Sequence, residues 1–105
     1  MEELSSEPQR LRLSRHAKSL MLAAAAGDVG RVRKLLQRGA NIQARDVDGW
    51  TALMLAAMEG HAAVARILVE EGADPQATDR FGVSVLDCAR RSGREEIIRL
   101  LKRKS

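Results

Sequence analysis

Aromatic rings are nearly missing from this chain of 105 residues: Trp50 and Phe81 are the two it has, and there is no tyrosine. A globular core of this size normally uses more of them, so their scarcity argues against one thick centre and for thin layers in close contact. The hydrophobic 45% is largely Ala, Leu, Val and Ile, which suits short helices packed closely in one small domain. Cysteine occurs once, at Cys88, which excludes an internal disulfide and fits a reducing compartment. His16, His61 and Cys88 are scattered donors with no close-spaced pair, so they make no zinc motif and no metal is expected. The longest apolar run, Leu20 to Ala26, is far too short to cross a bilayer. Met1-Glu2-Glu3 opens no signal peptide. These absences lead to the expectation of a soluble intracellular protein, cytoplasmic or nuclear, with no membrane role.

What the chain does have is a period. Gly27, Gly60 and Gly93 are 33 residues apart, as are Leu20, Leu53 and Leu86, and Gly39 pairs with Gly72 at the same interval. Ala23, Ala56 and Ala89 coincide in this register, and so do Leu35, Leu68 and Leu101. Self-similarity at this spacing marks units that cannot bury their apolar faces alone and must stack on their neighbours. In the middle unit Leu53, Ala56 and Ala57 fall at helical spacing and Gly60 ends that helix. Val64, Ile67 and Leu68 then form a second apolar stripe before Gly72. Each unit is therefore a short helix, a tight turn and a second short helix. The stretches 39–51 and 72–84 carry Asn41, Asp46, Asp48-Gly49, Asp74-Pro75, Asp79 and Gly82, turn-forming residues that predict projecting hairpin-like fingers. No strand pattern is long enough for a sheet.

The run Asp46-Val47-Asp48-Gly49-Trp50-Thr51-Ala52-Leu53-Met54-Leu55-Ala56-Ala57, followed by Gly60-His61 and Gly72-Ala73-Asp74-Pro75, resembles an ankyrin repeat. The resemblance covers roughly residues 13 to 103; it is fullest in the middle unit and thinnest in the first, which lacks the Asp, Gly and Thr of the finger. It implies an all-α solenoid of stacked helix-turn-helix units with projecting β-turn loops. A tail over 1–12 precedes a domain over 13–105, with repeats near 13–45, 46–78 and 79–105. Against the family's Thr-Pro-Leu-His, Ala52 replaces the proline, while Met21, Met54 and Asp87 stand where histidine is usual. Proline pre-sets the helical backbone angle at the first turn, so its loss should cost stability, and the family's Thr and His hydrogen bonding at that turn is expected to be lost with it.

Differences between the units indicate where the stack ends. Arg31 and Lys34 of the first correspond to Val64 and Ile67 of the second and to Ile97 and Leu100 of the third. Conversely, Met21 and Met54 become Asp87, Ala24 and Ala57 become Arg90, and Leu36 and Val69 become Lys102. Charge is expensive to bury, so the first and last units read as capping repeats with wet outer faces, and three repeats read as a complete domain.

Residues 1–45 carry a net +5, residues 46–79 a net −6 and residues 80–105 a net +5. Basic ends around an acidic middle weigh against nucleic acid, because a surface that tracks phosphates should be continuously positive. The cations equally read as solvation of the two caps, and Lys102, Arg103 and Lys104 suit a helix C-terminus. A nucleic-acid or anionic-surface binder using the basic caps remains the alternative. An engineered scaffold with no natural partner is a second one, against which the irregular Met54, Cys88 and Ala25-Ala26 argue.

Nothing points to an enzyme or a cofactor. Cys88 aligns with Leu22 and Leu55 and reads as a small apolar packing residue, while His61 aligns with Asp28 and Arg94 and reads as structural. Binding remains. Ankyrin-repeat proteins hold partners on loop fingertips and on the exposed side of each first helix, and the resemblance carries that surface onto Val47, Asp48, Trp50, Arg80, Phe81 and Val83 at the fingertips. On the palm it falls on Met58, Glu59, Arg91 and Ser92, with Ala25 and Ala26 as a flat edge. Trp50 and Phe81 read equally as rings packed on their own repeat. The expectation is a monomeric, non-catalytic interaction module for an extended or helical segment of another protein.

Overall fold

A computed structural model describes residues 14–104; the tail expected over 1–12 lies outside them. Six helices follow in order: α1 (Arg15–Ala26), α2 (Val29–Gln37), α3 (Ala52–Met58), α4 (Ala62–Glu70), α5 (Val85–Ser92) and α6 (Glu95–Lys104). Each odd-numbered helix packs on the even-numbered one that follows it. The odd helices also pack side by side as an inner layer, and the even ones form an outer layer. Among the described residues the sole β pairing is an isolated bridge between Thr78 and Ser84.

The helices start where short polar side chains replace the missing backbone acceptors. Ser14 Oγ accepts from the Ala17 amide at 3.0 Å and Asp28 Oδ1 from Arg31 at 3.1 Å. Thr51 Oγ1, buried, accepts from the Met54 amide at 3.2 Å. This corrects the expectation that capping fails at the altered turn: the threonine half survives because it needs only a backbone N–H, and Ala52 still starts the helix without proline. In the third unit Asp87 completes a reciprocal box, its Oδ2 accepting from the Ser84 amide at 3.0 Å while Ser84 Oγ accepts from the Asp87 amide at 3.0 Å. The Ser84 amide first, and its hydroxyl second, hold the Asp87 carboxyl below its ordinary 3.8.

Packing follows the period. Ala23, Ala56 and Ala89 are buried, and a side chain of one methyl lets the two layers approach closely. Leu53, at 1% exposure, fills the centre of the middle unit, where full burial of a leucine stabilises by about 2 kcal/mol. Val64, Ile67, Ile97 and Leu100 are buried against the preceding repeat while Arg31 and Lys34 stay in water; Met54 and Ala57 are buried beneath the third repeat, while Asp87 and Arg90 are exposed. One position departs from the wet-cap pattern. Leu22 is 72% exposed, although its equivalents Leu55 and Cys88 are half-buried and fully buried.

His61 ties two repeats together. Its Nε2–H donates to the Ala25 carbonyl at 2.9 Å, since a carbonyl can only accept, and it makes no side-chain cap for its own helix α4. Gly27 makes room for this: its φ is +74° and a Cβ there would come within 2.7 Å of the His61 ring.

Candidate protein-binding surface

Two fingers project between the repeats, built on the same bonds 33 residues apart. In the first, the Gly49 amide donates to the Asp46 carbonyl at 2.9 Å and the Asp46 amide to the Trp50 carbonyl at 3.0 Å. Asp46 Oδ1 also accepts from the amides of Asp48 and Trp50, both at 2.9 Å. In the second, the Gly82 amide donates to the Asp79 carbonyl at 3.1 Å and the Asp79 amide to the Val83 carbonyl at 2.8 Å. Asp79 Oδ1 accepts from Phe81 at 2.8 Å and from Val83 at 2.9 Å. A carboxylate that gathers amides of its own turn is the local device that favours aspartate in such loops.

The fingers are also fastened to each other. The Arg80 amide donates to the Asp48 carbonyl at 3.0 Å. Arg45 Nη1 donates to the Gly49 carbonyl at 3.0 Å and to the Thr78 carbonyl at 2.6 Å, crossing the gap with one guanidinium. Gln43 Nε2 donates to the Gly72 carbonyl at 2.7 Å. Gly49 sits where the backbones touch: its φ is +85° and a Cβ would lie 2.9 Å from the Arg80 nitrogen. The result is a two-finger ridge held by backbone bonds and by the Arg45 and Gln43 side chains.

At the tips, Val47 is 68% and Phe81 73% exposed. Arg80 lies with its guanidinium carbon 5.5 Å from the Phe81 ring centroid and donates from Nη1 to the Val47 carbonyl at 3.4 Å. Phe81, Arg80 and Val47 therefore form one apolar and cationic tip. Against this geometry a family model described as ankyrin repeats, in 3 copies, matches residues 20–105. The chain belongs to the ankyrin-repeat family. No curated protein matches it.

Ankyrin repeats are generally protein-protein interaction modules and typically non-catalytic. The residues expected on this repeat surface divide into two groups. Val47, Asp48, Arg80 and Phe81 at the fingertips, Glu59 at the C-terminal cap of α3 and Arg91 on α5 are exposed. Trp50, Met58, Val83 and Ser92 are half-buried. Trp50, Met58 and Val83 pack against the core, and Ser92 Oγ donates to the Ala89 carbonyl at 2.9 Å, so these four split their surface between the repeat and solvent. On the flat edge Ala26 is exposed, whereas Ala25 is half-buried and its carbonyl is taken by His61.

The remaining chemical groups are absorbed by the fold. Cys88 is buried, and burial first, with the Asp79 and Asp87 carboxylates second, pushes its thiol up to about 11, which makes it inert rather than nucleophilic. His16 is exposed on α1, far in sequence from both. Among the described residues no three His, Cys, Asp or Glu side chains come together as metal ligands would, and no described helix is long and apolar enough to cross a membrane. Asp46 and Asp79 were read from sequence as turn-forming residues of the fingers, whereas Arg45, which crosses between them, carried no signal.

Proposed function

We propose that this ankyrin-repeat protein, acting as a monomer, holds an extended or helical segment of another protein along the ridge of Val47, Asp48, Arg80 and Phe81. The flank is supplied by the exposed sides of α3 and α5 at Glu59, Arg91 and the outer parts of Met58 and Trp50. The observation that carries the reading is Phe81: a phenylalanine three-quarters in water, on a turn fixed by its own aspartate, contributes nothing evident to folding. Aromatic rings and arginine dominate binding hot spots because they give large, stiff contact area at modest entropy cost. Specific complexes usually bury about 800 Å² per partner, and two fingers make a short ridge, so the reading includes modest affinity.

The test is quantitative capture from a cell lysate on the immobilised chain, with and without Val47→Ser and Phe81→Ser together. Both side chains are exposed, so the variant should melt like the parent. Loss of the captured proteins is expected, and an unchanged set at unchanged yield rejects the ridge as the site.

A further inference from the structure

The outer side of the first repeat is unlike the rest of the surface. On α1, Arg15, Lys18 and Leu22 follow one another at steps of three and four residues and so share one face, and all three are exposed. Arg31 and Lys34 on α2 and Arg38 at its C-terminal cap repeat that spacing and are also exposed. Among the described residues the one ion pair is Arg66–Glu96 on the outer layer, so no described carboxylate holds any of these five cations. Asp28, the nearest acid in sequence to Arg31 and Lys34, spends Oδ1 on the Arg31 amide. An open hollow of about 550 Å³ lies among Arg31, Lys34, Arg38 and their neighbours. Leu22, at 72% exposure, is not in the lining of that hollow and shares the α1 face with Arg15 and Lys18.

We propose that this face is a second docking surface, separate from the finger ridge, and that its occupant is an acidic amphipathic helix of another protein. The shape comes from the stack itself. The equivalent face of the second repeat is covered by α1 and α2, and that of the third by α3 and α4; there Leu55 is half-covered, Cys88 is sealed, and Val64, Ile67, Ile97 and Leu100 are buried. The first repeat presents the same helix-pair surface with its apolar contacts at 64 and 67 exchanged for Arg31 and Lys34. A surface shaped to receive helices but lined by cations selects a helix that carries carboxylates, with an apolar residue to cover Leu22. Nucleic acid fits less well. Phosphates leave Leu22 uncovered, and the neighbouring stretch 46–79, whose helices pack on α1 and α2, carries a net −6.

The probe is a labelled synthetic helix with Leu and Glu spaced at three and four residues, titrated into the intact chain at low salt and followed by fluorescence anisotropy. Saturable binding is expected, weakened about tenfold or more by Arg31→Glu with Lys34→Glu and measurably by Leu22→Ser. Arg103→Glu with Lys104→Glu, the same change of charge at the far end, should leave it intact, and so should Phe81→Ser. That last variant separates this surface from the ridge. The proposal is overturned by no binding, by equal loss in both charge-reversal pairs, by equal affinity for the helix with Gln in place of Glu, or by tighter binding of an RNA oligomer of the same charge. Stronger binding after Glu2→Gln, Glu3→Gln and Glu7→Gln in the full chain would assign the face to the chain's own acidic residues and equally overturn it.

Discussion

The two fingers share a scaffold and differ at the tip. Asp46 and Asp79 hold the same pair of amides, and Gly49 and Gly82 close the same turn with φ of +85° and +83°. Yet the first finger offers Val47 and Asp48 where the second offers Arg80 and Phe81. Depth differs as well, since Asp79 is 7% exposed whereas Asp46 is half-buried. The scaffold bonds fix where the tip stands, and the exposed side chains of Val47, Asp48 and Phe81 make none of them.

The sharpest way to break this pairing is at the glycines. Gly49→Ala adds strain from positive φ and a clash with the Arg80 backbone, which cannot step aside, whereas Gly82→Ala meets nothing within 4 Å. Denaturant unfolding should show a loss of about 3 kcal/mol at 49 and about 1 kcal/mol at 82; equal losses would mean that the fingers do not touch as described. Next comes the buried carboxylate. Asp79→Ala strands the Phe81 and Val83 amides and should cost about 2 kcal/mol, with Asp46→Ala nearer 1 kcal/mol because water reaches its amides. The reverse order would deny that burial sets the difference.

The smallest effect separates the second and third repeats by pH. Asp87 has a lowered carboxyl in the folded chain, so the stability it adds is present above its ordinary 3.8 and is lost as pH falls through the lower folded value. Thr51 caps α3 opposite Met54, which does not titrate, so the second repeat has no such dependence at its first turn. Acid melts of Asp87→Asn should therefore lack one step of the parent's decline below 3.8. A parent and variant with parallel acid limbs would remove the box from the account.

Much of the stack was legible in spacing. Gly, Ala and Leu recur because the layers must approach at the same places in each copy, and Asp87, Arg90 and Lys102, charged where the earlier units are apolar, are exposed. Leu22 was not legible, since it aligns with two packing residues and yet no described helix covers it. The His61 bond to Ala25 was hidden for a different reason: a side chain that bonds a carbonyl 36 residues away leaves no local pattern. Thr51 was misread because its partner was sought in a histidine, when a backbone amide suffices. On the ridge, how each expected fingertip residue divides its area between repeat and solvent follows from packing and not from spacing, as Trp50 and Phe81 show.

The measurement that bears most directly on the ridge is site-specific photo-crosslinking. A benzophenone side chain placed at Phe81, on the second fingertip, should join the chain to a captured protein, while the same group at Arg99, exposed on outer helix α6, should not. Crosslinks of equal yield at both positions, or at 99 alone, would contradict a partner gripped between the fingers and the inner helices.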